Sequence, residues 1–165
     1  MSSTETVFNK KISLCIPMYN ESSIIADTAK TLHEYMSATF ESYEIIFSND
    51  GSKDGCDKIV EDMSLPNVRV VGYPNNQGKG CAVRTALLAA EGDIVMFTDA
   101  DLAYGCDVIK QVYDEFAANP AADMVIVAVF FFHSPFSHFR LPSGIIFLPP
   151  EIYLLKFPVV SVCYE

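Results

Sequence analysis

Apolar positions follow two rhythms along this chain, and the two alternate. Short runs at Ile12 to Pro17, Tyr43 to Phe47, Val68 to Val71, Asp93 to Thr98 and Asp123 to Val127 read as strands. Between them, apolar residues recur at helical spacing. Ile25, Ala29, Leu32 and Met36 mark one helix. Val83, Ala86, Leu87 and Ala90 mark another, and Val108, Val112, Tyr113 and Phe116 a third that ends at Asn119-Pro120. A further helix is predicted over Lys53 to Asp62, capped by Ser52 or Asp54, and Ser22 or Ser23 is the predicted cap of the first. About five strand–helix alternations with short loops predict an α/β fold: a Rossmann-like, mostly parallel sheet with helices on both faces. Right-handed crossovers gather the strand-to-helix loops at one sheet edge, where open α/β sheets bind ligands.

The rhythm fails near residue 127. From Ala128 to Glu165 apolar residues continue, but Pro135, Pro142, Pro149, Pro150 and Pro158 interrupt them, and neither a helical nor an alternating period emerges. The chain is therefore divided into an α/β domain, residues 1–127, and an apolar proline-rich tail, residues 128–165. The tail reads as a truncated or frame-altered end that is not native to the fold. No run reaches the roughly 18 apolar residues of a membrane span. Met1 to Lys11 is polar and lacks the apolar core of a secretory signal. The expected location is the cytoplasm or the cytoplasmic face of a membrane.

Composition narrows the partners. A net charge of −10 argues against nucleic acid and against electrostatic docking on an anionic membrane. An acidic protein that binds a diphosphate needs a metal or local backbone donors to offset its own field. The 5 cysteines are scattered and form no C-x-x-C pair, so they read as reduced, mostly buried small residues.

Four polar clusters fall in the predicted loops. Asp99-Ala100-Asp101 follows the fourth strand. Two hard oxygen ligands so spaced suit Mg²⁺ or Mn²⁺ holding a diphosphate; a turn with a helix cap is the plainer alternative. Asn76-Gln77-Gly78-Lys79-Gly80 opens a helix. It is no Walker motif, because Tyr73 and Gly80 stand where Gly and Ser or Thr are required. Its glycines still allow close backbone approach, and Lys79 adds charge near a phosphate. In Pro17 to Glu21, Tyr19 can lie along a planar base and Glu21 can accept from a ribose hydroxyl. In Asn49-Asp50-Gly51-Ser52, Asp50 can accept from a base N–H. The partial match of residues 50–61 to a calcium-binding loop is rejected, because a strand precedes it where a helix is needed. No G-x-G-x-x-G follows the first strand, which counts against a dinucleotide dehydrogenase.

In this order the clusters resemble the successive signatures of family 2 glycosyltransferases: Ile16 to Glu21, Asn49 to Gly55, Asn76 to Gly80, and Thr98 to Leu102. The resemblance is nearest to the branch that makes polyprenyl- or dolichyl-phosphate sugars, and it covers Ile12 to Ile126. It implies a GT-A fold, a UDP- or GDP-sugar donor, a Mg²⁺ or Mn²⁺ ion and, as favoured acceptor, a polyprenyl phosphate at a membrane surface. By that analogy Pro17, Tyr19, Asn20, Glu21, Asp50, Gly51, Gly78, Lys79, Gly80, Asp99 and Ala100 bind the donor. Asp99 and Asp101 hold the metal and serve catalysis. The pattern is broken at Asn49, where an acid often stands, and at Ala103, where mannose synthases of this branch usually carry Gln. The expected activity is inverting sugar transfer. The alternative is a non-catalytic nucleotide-sugar-binding remnant lacking the acceptor half. A nucleotidyltransferase comes third, because no Gly-rich basic signature follows the first strand.

Overall fold

The computed structural model describes residues 9–120, 122–127, 145–147 and 152–155. Contacts divide the chain between Asp107 and Val108 into two compact units. The first unit is built on four parallel strands: β1 (Ile12–Met18), β2 (Tyr43–Asp50), β3 (Val68–Tyr73) and β4 (Ile94–Phe97), in the order β3-β2-β1-β4. Three helices connect them, α1 (Ile25–Thr39), α2 (Cys56–Asp62) and α3 (Lys79–Ala89). The first two connections step outward from β1 to β2 to β3. The third returns past β1 and sets β4 on its far side, so Ile12 faces Tyr43 across one ladder and Ile94 across the other. With right-handed crossovers, that reversal puts α1 and α2 on one face of the sheet and α3 on the opposite face.

β1 and β2 are buried along their whole length. In α1 the expected stripe Ile25, Ala29, Leu32 and Met36 is buried, and Thr28 is buried with it. In α3 the expected stripe is off in phase. Ala82 and Ala86 face the sheet, where Ala86 packs with Cys15 and Ile46, whereas Leu87 is 40% exposed. Small side chains at that contact let the helix lie close to the strands. β4 differs from the fully buried strand its composition suggests. Ile94 and Met96 are buried but Val95 and Phe97, on the opposite face of the strand, are exposed.

The predicted helix caps are corrected in part. Ile24, not a serine, stands at the N-cap of α1 without a side-chain cap, and the Ser22 amide donates instead to Asp54 Oδ2 at 2.8 Å. α2 starts at Cys56 rather than Lys53, after Gly55 in the left-handed region. Asp54 Oδ1 accepts from the Cys56 amide at 3.2 Å, while the Ser52 amide donates to Asn49 Oδ1 at 2.8 Å. At α1 a bond between loops takes the place of the local cap, whereas Asp54 holds the first amide of α2 with one oxygen and the Ser22 amide with the other.

α4 (Asp107–Ala118) spans the division, with Ile109 buried. In the second unit β5 (Met124–Val127), β6 (Ile145–Phe147) and β7 (Ile152–Leu155) form an antiparallel sheet in the order β5-β7-β6. β6 and β7 were not expected from the sequence: they have 3 and 4 residues, too short to display an alternating period. The remainder of the predicted tail, with Cys163, lies outside the described residues. Cys15, Cys56, Cys81 and Cys106 are free thiols. Among the described residues no helix is long and apolar enough to cross a membrane.

At the start of the sheet, remote from its carboxyl edge, Glu44 is buried and fully engaged. Its carboxylate accepts from Ser13 Oγ at 2.6 Å, from the Glu91 amide at 2.8 Å, and from Arg69 Nε and Nη2 at 3.1 and 3.0 Å. Arg69 also donates to the Ala89 carbonyl at the end of α3. Ser13 Oγ accepts from Gly92, where a Cβ would come within 2.7 Å of it. Burial alone pushes a carboxyl up, but the Ser13, Glu91 and Arg69 donors outweigh it and hold Glu44 below its ordinary 4.5. The Cys15 thiol beside it is pushed up to about 11, first by burial and then by the Glu44 charge.

Removing the carboxylate leaves these donors without an acceptor, so Glu44→Ala is expected to cost about 3 kcal/mol in urea unfolding. Because the folded pKa is lowered, the ionised carboxylate's contribution is complete above the ordinary value. It is lost as pH falls from 4.5 through the lower folded value. Over that acid range Glu44→Gln should flatten the pH dependence of stability; a curve as steep as wild type's would show that Glu44 is not the titrating group.

Candidate functional site

The strand reversal at β1 opens a crevice at the carboxyl ends of β1 and β4, because the chain leaves the two strands toward opposite faces. A cleft of about 530 Å³ lies there. It is lined by Pro17, Met18, Tyr19 and Glu21 after β1, Asp50 at the end of β2, Asn76, Gly78, Lys79 and Ala82 around the start of α3, and Asp99, Ala100 and Asp101 after β4. The four predicted clusters thus meet in one place. Asn20, Gly51 and Gly80 do not line the cleft; Met18 and Asn76 belong to the predicted clusters without having been assigned to the donor, and Ala82 was not foreseen.

Two of the non-lining residues hold the loops together. Asn20 adopts φ of 55°, a conformation Asn tolerates better than most residues. Its amide donates to Ser52 Oγ at 3.0 Å, and its Oδ1 accepts from the Lys53 amide at 2.9 Å. Gly51, at φ of 70°, lies so close to the next loop that a Cβ would stand 2.5 Å from Asn76 N. A side chain there would push the loop away. Gly80 sits in the first turn of α3 with open space around it.

Asp50 is the organiser of the cleft wall. It is 2% exposed, and its oxygens accept from Tyr73 Oη at 2.6 Å, Asn76 Nδ2 at 2.9 Å, the Gln77 amide at 2.8 Å and the Gly78 amide at 3.0 Å. These donors fill most of a carboxylate's acceptor capacity. The buried charge therefore folds the 76–78 loop around itself and presents the N-terminus of α3. Burial, then the bond to Asp50, holds the Tyr73 phenol far above its ordinary range, so it remains a donor.

The loop after β4 is tied down at both ends. The Thr98 amide continues the ladder to the Cys15 carbonyl at 3.1 Å, and the Leu102 amide closes a turn onto the Asp99 carbonyl at 3.2 Å. Leu102 is held at φ of 50°, where an L side chain is strained. Ala100, between the two acids, is 4% exposed, and its carbonyl accepts from Thr28 Oγ1 of α1 at 2.7 Å. Asp101 Oδ1 accepts from the Ala103 amide at 3.1 Å, and Asp99 Oδ1 pairs with Lys79 Nζ at 2.6 Å. The second oxygens of Asp99 and Asp101 accept no hydrogen bond among the described residues.

That donor set fits a hard divalent ion. Two carboxylates each keep a free oxygen on one cleft, and Mg²⁺ or Mn²⁺ is commonly held by one or two carboxylates plus phosphate oxygens and water. No group of three His, Cys, Asp or Glu residues gathers among the described residues.

Thr28 was missed in the sequence. Its signal was a hydroxyl on the buried stripe of α1, three residues after Ile25, but its partner lies 72 residues away. Thr28→Val should cost about 1 kcal/mol and speed amide exchange in residues 99–103, while Thr28→Ser restores both. Unchanged exchange in Thr28→Val would mean the loop is held by other contacts.

Comparison with known proteins agrees with this geometry. The family described as Glycosyl transferase family 2 matches residues 13–163, past Ile126 where the recognisable motif order stops. The bactoprenol glucosyl transferase of Shigella phage SfV is 36% identical over 118 residues, covering 70% of this chain and 38% of that protein. The fold is similar to that of the mannosyltransferase PcManGT from Pyrobaculum calidifontis, solved with GDP-Man and Mn²⁺, with a TM-score of 0.63 at 23% identity over 74% of this chain and 36% of that one. It is also similar to S. aureus TarS 1–349 in complex with UDP, with a TM-score of 0.53 at 27% identity over 65% of this chain and 33% of that one. The chain spans about a third of the length of the curated relatives it matches. The match over residues 13–163, carried on a parallel sheet whose four motif loops meet at one cleft, shows that the chain belongs to glycosyl transferase family 2.

Proposed function

We propose that the cleft binds a UDP- or GDP-sugar, and that the protein transfers the sugar with inversion to a polyprenyl phosphate. The observation that carries this reading is the shared cleft: Asp99 and Asp101 open onto the same space as Tyr19, Glu21 and Lys79. Tyr19 is 47% exposed, so its ring is available to a base. Glu21 is placed to accept from a ribose hydroxyl, and Pro17 and Ala100 supply apolar walls. Asp50, whose oxygens are already engaged, acts on the donor through the loop it folds. The start of α3 and Lys79 offer amide donors and charge to the diphosphate.

Asp99 and Asp101 are the residues that would hold Mg²⁺ or Mn²⁺. A divalent ion there supplies positive charge to a departing nucleoside diphosphate. A phosphate acceptor arrives ionised near neutral pH and needs no protein base. The name of the phage relative supports a polyprenyl acceptor, and the UDP complex of TarS supports a nucleoside diphosphate in the cleft. The reading places donor binding within residues 1–127 and gives residues 128–165 no part in it. A polyprenyl acceptor would bring the protein to a membrane surface.

Calorimetric titration with UDP-glucose and GDP-mannose, with and without Mn²⁺, tests the reading beside a sugar-transfer assay on a polyprenyl phosphate. One donor should bind with Mn²⁺, and Asp101→Ala should weaken that binding about tenfold or more by removing its metal dependence. Mn²⁺-dependent binding without transfer would reduce the function to donor binding. Failure of both donors to bind would sink the reading.

A further inference from the structure

The ammonium of Lys79 lies 2.6 Å from Asp99 Oδ1, with the two side chains 60% and 44% exposed. Among the described residues Lys79 is the only cation lining the cleft, against the carboxylates of Glu21, Asp50, Asp99 and Asp101. Asp50 is already satisfied by neutral donors. The partner Lys79 takes is thus one of the two acids assigned to the metal. In the donor-site reading, on which this inference rests, both members of the pair have other work. Asp99 is to hold a divalent ion, and Lys79 is to face a diphosphate. An ammonium seated on a carboxylate oxygen repels a divalent ion from it, and an ammonium engaged by that carboxylate is less available to a phosphate.

We propose that the Lys79–Asp99 pair is an internal counter-ion lock, exchanged when ion and diphosphate bind together. Lys79 leaves Asp99 for a diphosphate oxygen, and Asp99 is released to the ion. No covalent bond changes. The acid stays in place, because Thr28 and the turn closed by Leu102 fix the loop that carries it. The ammonium moves, because its four-carbon stem is exposed at the first position of α3. An exposed ion pair is weak, so the exchange costs little. The consequence is reciprocal coupling: each ligand binds better once the other has drawn its competitor away.

The tests use Mn²⁺ alone, and UDP or GDP, whichever binds the wild type with Mn²⁺. Lys79 is exposed, so Lys79→Met should fold normally. The variant is expected to bind Mn²⁺ alone about two- to fivefold more tightly than wild type. It should bind the Mn²⁺–nucleotide pair about tenfold or more weakly. Opposite shifts for two ligands are not what a merely structural role gives. A double-mutant cycle supplies the second readout. Asp99→Asn should tighten metal-free nucleotide binding when Lys79 is present and do so much less in the Lys79→Met background. Mn²⁺ binding unchanged or weakened in Lys79→Met overturns the lock, as does an equal gain from Asp99→Asn in both backgrounds. In either event normal Mn²⁺-dependent nucleotide binding by wild type leaves the donor reading intact. A wild type that binds neither nucleotide removes both.

Discussion

The structure depends first on β1 being paired on both sides. Its ladder to β2 and its ladder to β4 both begin at Ile12, so the two neighbouring strands run in step from that point. β1 continues to Met18 alongside β2, whereas β4 stops at Phe97, opposite Cys15. The chain leaving β4 therefore turns while β1 is still extended, and Asp99 to Asp101 come to lie beside Pro17 and Met18. Reversal of strand order at this point separates the departing loops and leaves the crevice between them. Every group in the cleft is positioned by that arrangement.

β2 carries a buried carboxylate near each end, Glu44 and Asp50, on the same face of the sheet. A buried charge must be met by donors, and the two ends meet this demand differently. Glu44 is met by Arg69, Ser13 and the Glu91 amide, groups that join β1, β2, β3 and the segment entering β4. Asp50 is met by Tyr73 and by the loop entering α3, without a cation. The first arrangement fastens the bottom of the sheet. The second shapes a loop at the top, and it leaves Lys79 free of Asp50 and able to engage Asp99.

Backbone geometry completes the cleft at a small number of positions. Gly51 gives the approach of one loop to another that any Cβ would block, and Asn20 bridges two loops from a left-handed conformation. The acidic loop is held by a hydroxyl from a distant helix and by a strained Leu102. Such strain persists only where surrounding bonds over-determine it, and here those bonds hold two carboxylates toward one space.

The sequence by itself determined the alternation of strands and helices, the parallel character of the first sheet and the four loops that carry the chemistry. Those features are local: strand runs, the stripe of α1, and short motifs whose residue types are chemically legible. Pro17, Tyr19, Glu21, Gly78, Lys79, Asp99, Ala100 and Asp101 were readable in this way, and the structure gathers them around one cleft. What only the tertiary structure decided depends on partners far apart in the chain. Thr28 finds its carbonyl 72 residues on, Asp50 is enclosed by donors 23 to 28 residues away, and Asp54 holds the Cys56 amide with one oxygen and the Ser22 amide, 32 residues back, with the other. The phase of α3 was likewise set by the close seat of Ala82 and Ala86 on the sheet, not by its own apolar spacing. Hydrophobic period encodes which elements form. The pairing of individual polar groups is fixed only when strand order brings their loops together.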